Sequence, residues 1–252
     1  LFAASLTIAS CNSDFLNTEP LGEISEAAVW TDPALAEAFV TGIYQGFGNG
    51  GFNEEMVASL TDEAIFTHPG RGLNTVTEAR VNAADVGWNN AGNRTWNWQR
   101  LYSYIRRANL AISELSEPQF ENDGGIVDRL LGEAKFMRAY YYHDLARYFG
   151  GVPLVDRPYE LGEETYEVPR SSWEETINFI LADLDDAAQL LEGKSMASGR
   201  TSELAALALK SRVLLYAASD LHDGPTATGN STTLASFGDI GLLAYTGGNQ
   251  TE

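Results

Sequence analysis

The sequence contains one cysteine in 252 residues, Cys11, so no disulfide can form within the chain. Only three histidines are present, His68, His143 and His222, and none stands four residues from another or beside the cysteine. This spacing argues against a zinc site, because protein zinc sites use closely spaced histidine and cysteine ligands. We therefore expect neither a metal nor another cofactor, and a fold stabilised by packing alone.

Positive charge is also scarce. The chain has 16 lysines and arginines against 35 aspartates and glutamates, a formal net charge of −19. Such a chain repels phosphate backbones, which excludes nucleic acid as an expected partner. No apolar run reaches the length of about 18 residues that a membrane-spanning helix requires, so no such helix is predicted.

Enzymatic motifs are missing as well. The sequence has no glycine-rich phosphate loop, no G-x-S-x-G turn and no H-E-x-x-H pair. Asp183, Asp185 and Asp186 are predicted to lie on a solvated helix face, opposite the apolar residues of that helix. The pair His222 and Asp223 is open to two interpretations, half of a catalytic dyad or an ordinary helix exit and turn. We expect a protein that is not an enzyme.

Apolar residues recur at helical spacing through much of the chain, which predicts an all-α fold. Asp32 and Pro33 are a typical helix start, the pair Gly150 and Gly151 a typical stop, and Ser171 with Glu174 a capping box. The predicted helices run from residue 33 to near 46 or 48, 54 to 65, 98 to 115, 126 to 149, 171 to 193 and 202 to 219. From residue 220 onward the helical period is lost, and irregular structure is expected.

Aromatic residues fall into two groups. Trp98 and Trp173 lie at apolar positions of predicted helices and are expected in the core, and His143, within the run "YYYHDL", is expected to be a satisfied partner at the edge of its helix. Residues 67–95 instead predict a long loop, which is usually functional in a compact domain. Around its end an aromatic platform is interleaved with planar polar groups, which suits the apolar face and hydroxyl rim of a sugar. The candidate glycan-binding residues are Trp88, Asn89, Asn90, Arg94 and Trp96, although Trp88 or Trp96 pinning the loop is a competing explanation.

The cysteine follows the segment "LTIAS", which has the pattern of a bacterial lipobox: an aliphatic residue, small residues, then Cys. This pattern predicts that residues 1–10 are the remnant of a signal peptide. Cys11 would then become the lipidated N-terminus, and residues 11–30 a tether, because a multiply acylated end anchors stably to a membrane.

Several segments together resemble the SusD/RagB family of Bacteroidetes outer-membrane lipoproteins. These are "CNSDFLNTEP", "LTDEAIF", "WNWQRLYSYIRRANLAI", "GEAKFMRAYYYHDLARYFGGVPLV", "VPRSSWEETINFILADLDDAAQLL" and "GRTSELAALALKSRVLLYAASD". The resemblance implies tetratricopeptide-like helix pairs with long loops, and a partnership with a SusC-like TonB-dependent transporter. Family members are about twice as long, so residues 31–252 are expected to match their N-terminal part.

The expected function is therefore a lipid-anchored protein of the outer membrane, facing the exterior, that binds oligosaccharides and delivers them to the transporter. The alternative is a helical-repeat module that binds peptides or proteins. Cys11 is the expected lipidation site in either case.

Overall fold

The computed structural model describes residues 26–47, 62–63, 98–159, 162 and 167–248. The regular structure in these ranges is helical, apart from an isolated bridge between Asp223 and Tyr245, which confirms the predicted all-α class. The α-helices are α1 (Glu26–Thr31), α2 (Pro33–Ile43), α3 (Trp98–Ser116), α4 (Ile126–Phe149), α5 (Trp173–Leu191), α6 (Glu203–Ala217), α7 (Gly224–Asn230) and α8 (Thr232–Ala235). Of the predicted helix at 54–65, only residues 62 and 63 are described, and both are exposed in a turn.

The first two helices meet at the predicted start signal. The side chain of Asp32 accepts hydrogen bonds from the backbone N–H groups of Ala34 and Leu35, and Pro33 occupies the first turn of α2. Residues 26–30, predicted to be part of the tether, belong to α1, and the ring of Trp30 is buried edge-on against Phe39. Helix α1 is therefore part of the folded chain.

Helices α3 to α6 pack in chain order, each antiparallel to the next. Between α4 and α5, Lys135 pairs with Asp186 and Arg138 with Asp183, so the numbering rises on one helix as it falls on the other. The same reversal relates α3 to α4 and α5 to α6, through the pairs Trp98 with Phe149, Tyr102 with Tyr142, Asp185 with Lys210 and Trp173 with His222. These are the helix pairs that the sequence predicts, each burying its apolar face on its neighbours.

Helix α4 lies at the centre of this stack. It spans the predicted residues, and Tyr141, Tyr142, His143 and Asp144 are all buried although consecutive helical residues point about 100° apart. This is possible because α2, α3, α5 and α6 all contact α4. The structural interpretation of "YYYHDL" is thus confirmed, but Tyr148, which the helical period places on the apolar face, is 41% exposed.

A glycine marks the end of α4, and a serine marks the start of α5. Helix α4 stops at Gly150, whose φ of 72° favours glycine, and the N–H of Gly151 donates to the Leu242 carbonyl. The capping box of α5 is formed by Ser172 and Glu175, so the predicted pair one residue earlier is wrong. The reason is tertiary: the N–H of Ser171 donates to the carbonyl of Val152 and keeps that serine in the connector.

The region after residue 220 was expected to be irregular, but it contains two short helices. Asp223 caps α7 and Ser231 caps α8 by accepting backbone N–H bonds. Seven and four residues are too few to show a helical period, so only the caps could have indicated these helices.

Candidate functional site

All the candidate binding residues of the sequence lie outside the described residues. These are Trp88, Asn89, Asn90, Arg94 and Trp96, together with the lipidation candidate Cys11 and with His68. The structure does describe the helical frame on both sides of the segment 48–97 that carries the glycan candidates.

The two flanks of that segment are held together. The guanidinium of Arg100, in the first turn of α3, donates to the backbone carbonyl of Gln45 at 2.8 Å. Next to this contact a Cβ on Gly46 would overlap the rings of Tyr104 and Tyr141, so this position requires glycine. The described flanks therefore meet at the contact between Gln45 and Arg100, which we call the attachment point and which lies beside the aromatic part of α4.

Aromatic rings surround this attachment point. Phe47 packs edge-on against Tyr140, with ring centroids 4.5 Å apart, and contacts Phe136 and Tyr141. Tyr104 lies between the guanidinium groups of two arginines of α3, Arg100 and Arg107, at 5.5 and 5.2 Å. Both contacts are within the range of a cation–π interaction.

Trp98 is the aromatic residue of this area that sequence reasoning placed wrongly. It was expected in the core, but its side chain is 38% exposed while packing against Tyr102 and Phe149 at centroid distances of 5.0 Å. It occupies the first residue of α3, where the neighbouring helices cover less of the side chain. That position at a helix start was the available signal for exposure.

The connector after α4 is fixed to the same helices by side-chain hydrogen bonds to its backbone. Tyr102 donates to the carbonyl of Pro153 at 2.7 Å, and Asn109 donates to that of Val155 at 2.8 Å. The hydroxyl of Tyr142 accepts from the N–H of Val155, and burial raises the pKa of this phenol well above its usual value. These tyrosines therefore serve as neutral structural partners rather than as bases.

A buried ion pair joins α4 to α5. Arg138 and Asp183 form two hydrogen bonds of 2.7 Å, and Arg138 also donates to Asn109 on α3 and to the carbonyl of Asp156. The expectation that Asp183 is solvated is wrong, because α4 passes over this side of α5. Asp185 and Asp186 do face solvent, with side chains 56% and 53% exposed.

A second buried carboxylate joins α2, α4 and the start of α6. Glu133 accepts hydrogen bonds from Arg129 and Arg200 and from the hydroxyl of Tyr44, while the N–H of Thr201 donates to that hydroxyl. Burial and the bond to Glu133 raise the pKa of Tyr44 to about 12. Glu37 of α2 also pairs with both arginines, so two carboxylates balance two guanidinium groups and the cluster acts as a clamp.

The two described histidines also have structural surroundings. His222 stacks on Trp173 with centroids 3.7 Å apart, and its Nδ1 lies 2.6 Å from the Leu243 carbonyl, which can only accept. Because Asp223 caps α7, the helix-exit interpretation of this pair applies and the dyad does not. His143 is buried, as expected of a structural residue, and its Nε2 has no hydrogen-bond partner among the described residues.

The described part of the chain also contains an open cavity of about 600 Å³ between α4 and the end of α5. Its lining consists of Asp128, Asp186, Gln189, Leu190, Glu192 and Lys194. Two of its carboxylates are already paired with lysines, and its lining provides no aromatic ring for a sugar to stack on. In the described ranges, no group of three histidine, cysteine, aspartate or glutamate residues is arranged to hold a metal ion, and no helix is long and apolar enough to cross a membrane.

Comparisons with known proteins agree on one family. A SusD-like family model, described as "Starch-binding associating with outer membrane", matches residues 14–215. The SusD-like protein P38 of Formosa agariphila is 36% identical over 120 residues, which are 47% of this chain and 22% of that protein.

Solved structures show the same fold. A SusD-like protein from Bacteroides fragilis is 26% identical with a TM-score of 0.59, over 88% of this chain and 41% of that one. A structure named as a laminarin-binding SusD-like protein is 23% identical with a TM-score of 0.55, over 78% of this chain and 42% of that one. The chain thus spans less than half the length of each of these proteins.

Proposed function

The chain belongs to the SusD-like family, and from this membership we propose that it binds oligosaccharides at the outer membrane and delivers them to a TonB-dependent transporter. The observation that carries the proposal is the family match over residues 14–215, whose description names starch binding and the outer membrane. A protein of the same fold is named for binding laminarin, a glucan, which supports a glycan as the class of ligand.

We place the glycan contacts on Trp88, Asn89, Asn90, Arg94 and Trp96. The proposal rests on their chemistry, since indole faces and planar amide and guanidinium groups suit a sugar ring. Two described features support it: the flanks at Gln45 and Arg100 are in contact, and Trp98, the first residue of α3, has an exposed ring that adds aromatic surface. Capture without catalysis needs no nucleophile or base, and the protein is proposed not to be an enzyme.

The N-terminal region is proposed to provide the anchor. In this proposal residues 1–10 are signal peptide and Cys11 carries the acyl chains. Residues 11–30 form the tether, except that residues 26–30 belong to α1, and residues 31–252 continue the folded domain. Metabolic labelling with a radioactive fatty acid should mark the parent protein and leave a Cys11→Ser variant unlabelled. Equal labelling of the two proteins would contradict lipidation at this residue.

The binding proposal is tested by a glycan array followed by calorimetric titration with the oligosaccharide that binds best. Trp88→Ala should weaken binding about tenfold or more, or roughly 1.4 kcal/mol, without changing the melting temperature. Phe237→Ala is a matched control, because it too removes one aromatic side chain. Phe237 is 40% exposed and lies far from Trp88 in the sequence. It should leave the affinity unchanged.

Three results would contradict the proposal in different ways. A blank glycan array with binding to a peptide panel would favour the peptide-binding alternative. New reducing ends from a bound oligosaccharide would reveal a hydrolase. Loss of stability in Trp88→Ala with unaltered affinity per folded molecule would show that Trp88 is a packing residue.

A further inference from the structure

The part of the sequence that carries the glycan candidates has a charge opposite to that of the whole chain. Residues 86–113 contain four arginines, Arg94, Arg100, Arg106 and Arg107, and neither aspartate nor glutamate. At the average of 35 acidic residues in 252, a stretch of 28 residues would hold about four. Positive charge is therefore concentrated where the sugar is proposed to bind.

The described end of this stretch presents a basic surface on α3. We call Arg100, Tyr104 and Arg107 the basic stripe, since they stand at i, i+4 and i+7 and so share one face of the helix. The guanidinium groups of Arg100 and Arg107 lie 5.5 and 5.2 Å from the centre of the Tyr104 ring. Arg107 is exposed, and the other two side chains are half-buried. The stripe begins at the attachment point, where Arg100 contacts Gln45, four residues after Trp96.

Arg107 pairs with no carboxylate among the described residues, although the chain has more than twice as many acidic as basic residues. Its neighbour Arg106 donates to the backbone carbonyl of Tyr159, which is a neutral acceptor. Elsewhere in the described ranges seven cations pair with carboxylates: Arg129, Lys135, Arg138, Arg147, Lys194, Arg200 and Lys210. The hydrogen-bond donors of Arg107 are thus available to a ligand.

The chemistry of the stripe suits an oxyanion. A guanidinium group is planar and always charged, and it can donate two parallel hydrogen bonds to a carboxylate or a similar oxyanion. Its contact with an aromatic ring holds it in place, so less conformational freedom is lost when a ligand binds. A neutral sugar needs an aromatic face and partners for its hydroxyl groups, but it gains little from an uncompensated cation.

The net charge of −19 does not prevent an anion from binding here. At physiological ionic strength charges are screened over a distance of about 8 Å, so a ligand at the surface of α3 interacts mainly with the charges next to it. Those charges are the arginines of the stretch 86–113, which contains no acidic residue.

We propose that the glycan bound by this protein is anionic, with carboxylate or sulfate groups on its sugars, and that Arg107 binds one of these groups. This inference rests on the proposed glycan-binding function and names the ligand class of the same site. The indole and amide groups of residues 88–96 contact the sugar rings, and the basic stripe contacts the negative charges. Arg107 is then a residue that determines specificity.

A glycan array on the complete polypeptide that the gene encodes is the first test. The array carries oligosaccharides of uronic acids, sulfated galactans, and neutral glucans and galactans. Binding should be confined to the charged members. The best of them is then titrated beside its own neutral derivative, which is carboxyl-reduced for a uronic acid or desulfated for a sulfate ester, and the derivative should bind at least about tenfold more weakly. The derivative that loses binding identifies which of the two groups is recognised.

Two charge-matched variants locate the contact. Arg107→Gln should weaken binding of the charged oligosaccharide about five- to tenfold and leave the affinity for its neutral derivative unchanged. Lys210→Gln removes the same charge from α6, where Lys210 pairs with Asp185, and should change neither affinity. Raising the salt from about 0.15 M to about 0.5 M should weaken binding by the parent protein more than binding by Arg107→Gln. Each pair of affinities is measured on one preparation, so a change in the stability of a variant does not affect their ratio.

The outcomes separate this inference from the proposed function. Binding of neutral glycans alone, or equal affinity for the charged oligosaccharide and its neutral derivative, would overturn the inference and leave glycan binding intact. A blank array with binding to a peptide panel would overturn both. Equal losses in Arg107→Gln and Lys210→Gln would show that net charge alone matters, and would refute the assignment to the basic stripe.

Discussion

The buried pair of Arg138 and Asp183 should be the ionic contact whose removal destabilises the protein most. The Asp183→Asn substitution removes a negative charge that is 5% exposed and leaves a guanidinium that is 7% exposed beside the ring of Phe179. The remaining partners of Arg138, the side-chain oxygen of Asn109 and the carbonyl of Asp156, are neutral. The cation would therefore stay buried without a counter-charge that contacts it directly.

The magnitude follows from that geometry. Breaking a buried ion pair by removing one partner costs about 3–5 kcal/mol. The lower end applies here, because an asparagine can keep one hydrogen bond to Arg138, so we expect a loss of about 3 kcal/mol in the free energy of unfolding. For a domain of this size such a loss lowers the melting temperature by roughly 6–12 °C.

Urea unfolding monitored by circular dichroism measures this loss, and the chain supplies a matched control. Asp186 on the same helix forms an ion pair too, with Lys135, but its side chain is 53% exposed. Asp186→Asn should therefore lower the free energy of unfolding by less than about 1 kcal/mol. Replacing both partners, Arg138→Met with Asp183→Leu, should restore most of the stability because no buried charge remains. Equal losses in Asp183→Asn and Asp186→Asn would refute the assignment of a buried clamp.

Three further predictions test other features of the frame. Burial lowers the pKa of His143 to about 4 from its ordinary value of 6.5, so between these pH values the unfolded chain binds a proton that the folded chain does not. The free energy of unfolding should therefore fall by up to about 3 kcal/mol between pH 6.5 and 4. A pH series on His143→Gln should show a flatter dependence in that window. Gly42→Ala, in the last turn of α2 with open space around a Cβ, should raise the stability by up to about 0.5 kcal/mol. Gly151→Ala, whose Cβ would overlap backbone atoms, should lower the stability, and a thermal melt that ranks the two variants the other way contradicts the packing at Gly151. Ser172→Ala should lower the free energy of unfolding by about 1 kcal/mol through loss of the cap, and Ser171→Ala should lower it clearly less. The opposite order in chemical denaturation would support the capping box that the sequence predicts at Ser171 and Glu174.

The candidate glycan-binding residues illustrate how far sequence reasoning reaches. The chemistry of the segment ending at Trp96 can be recognised from residue types alone, and it leads to a sugar as the proposed ligand. The path of the segment 48–97 decides which of those side chains contact one ligand. Residue types alone do not specify that path, and the candidates lie outside the described residues. The frame contributes what the pattern could not, a common attachment point for both flanks and an exposed ring at Trp98.

Local signals determined several of the helix boundaries. The cap at Asp32, the stop at Gly150 and the bounds of α4 were all predictable, because backbone hydrogen bonding and glycine's access to positive φ act within a few residues of the chain. The same locality explains why short segments of the sequence are enough to indicate the family.

Burial was decided by the tertiary structure. The periodicity of α5 alone directs Asp183 away from the core, but Arg138, 45 residues earlier in the chain, comes over that side and makes it an interior position. Conversely, the leucines of α6 look like core residues in sequence, yet all but Leu209 are exposed because no described helix covers that side. A helical period tells which residues share a face, whereas the neighbour that covers the face comes from distant parts of the chain, and only the folded arrangement specifies it.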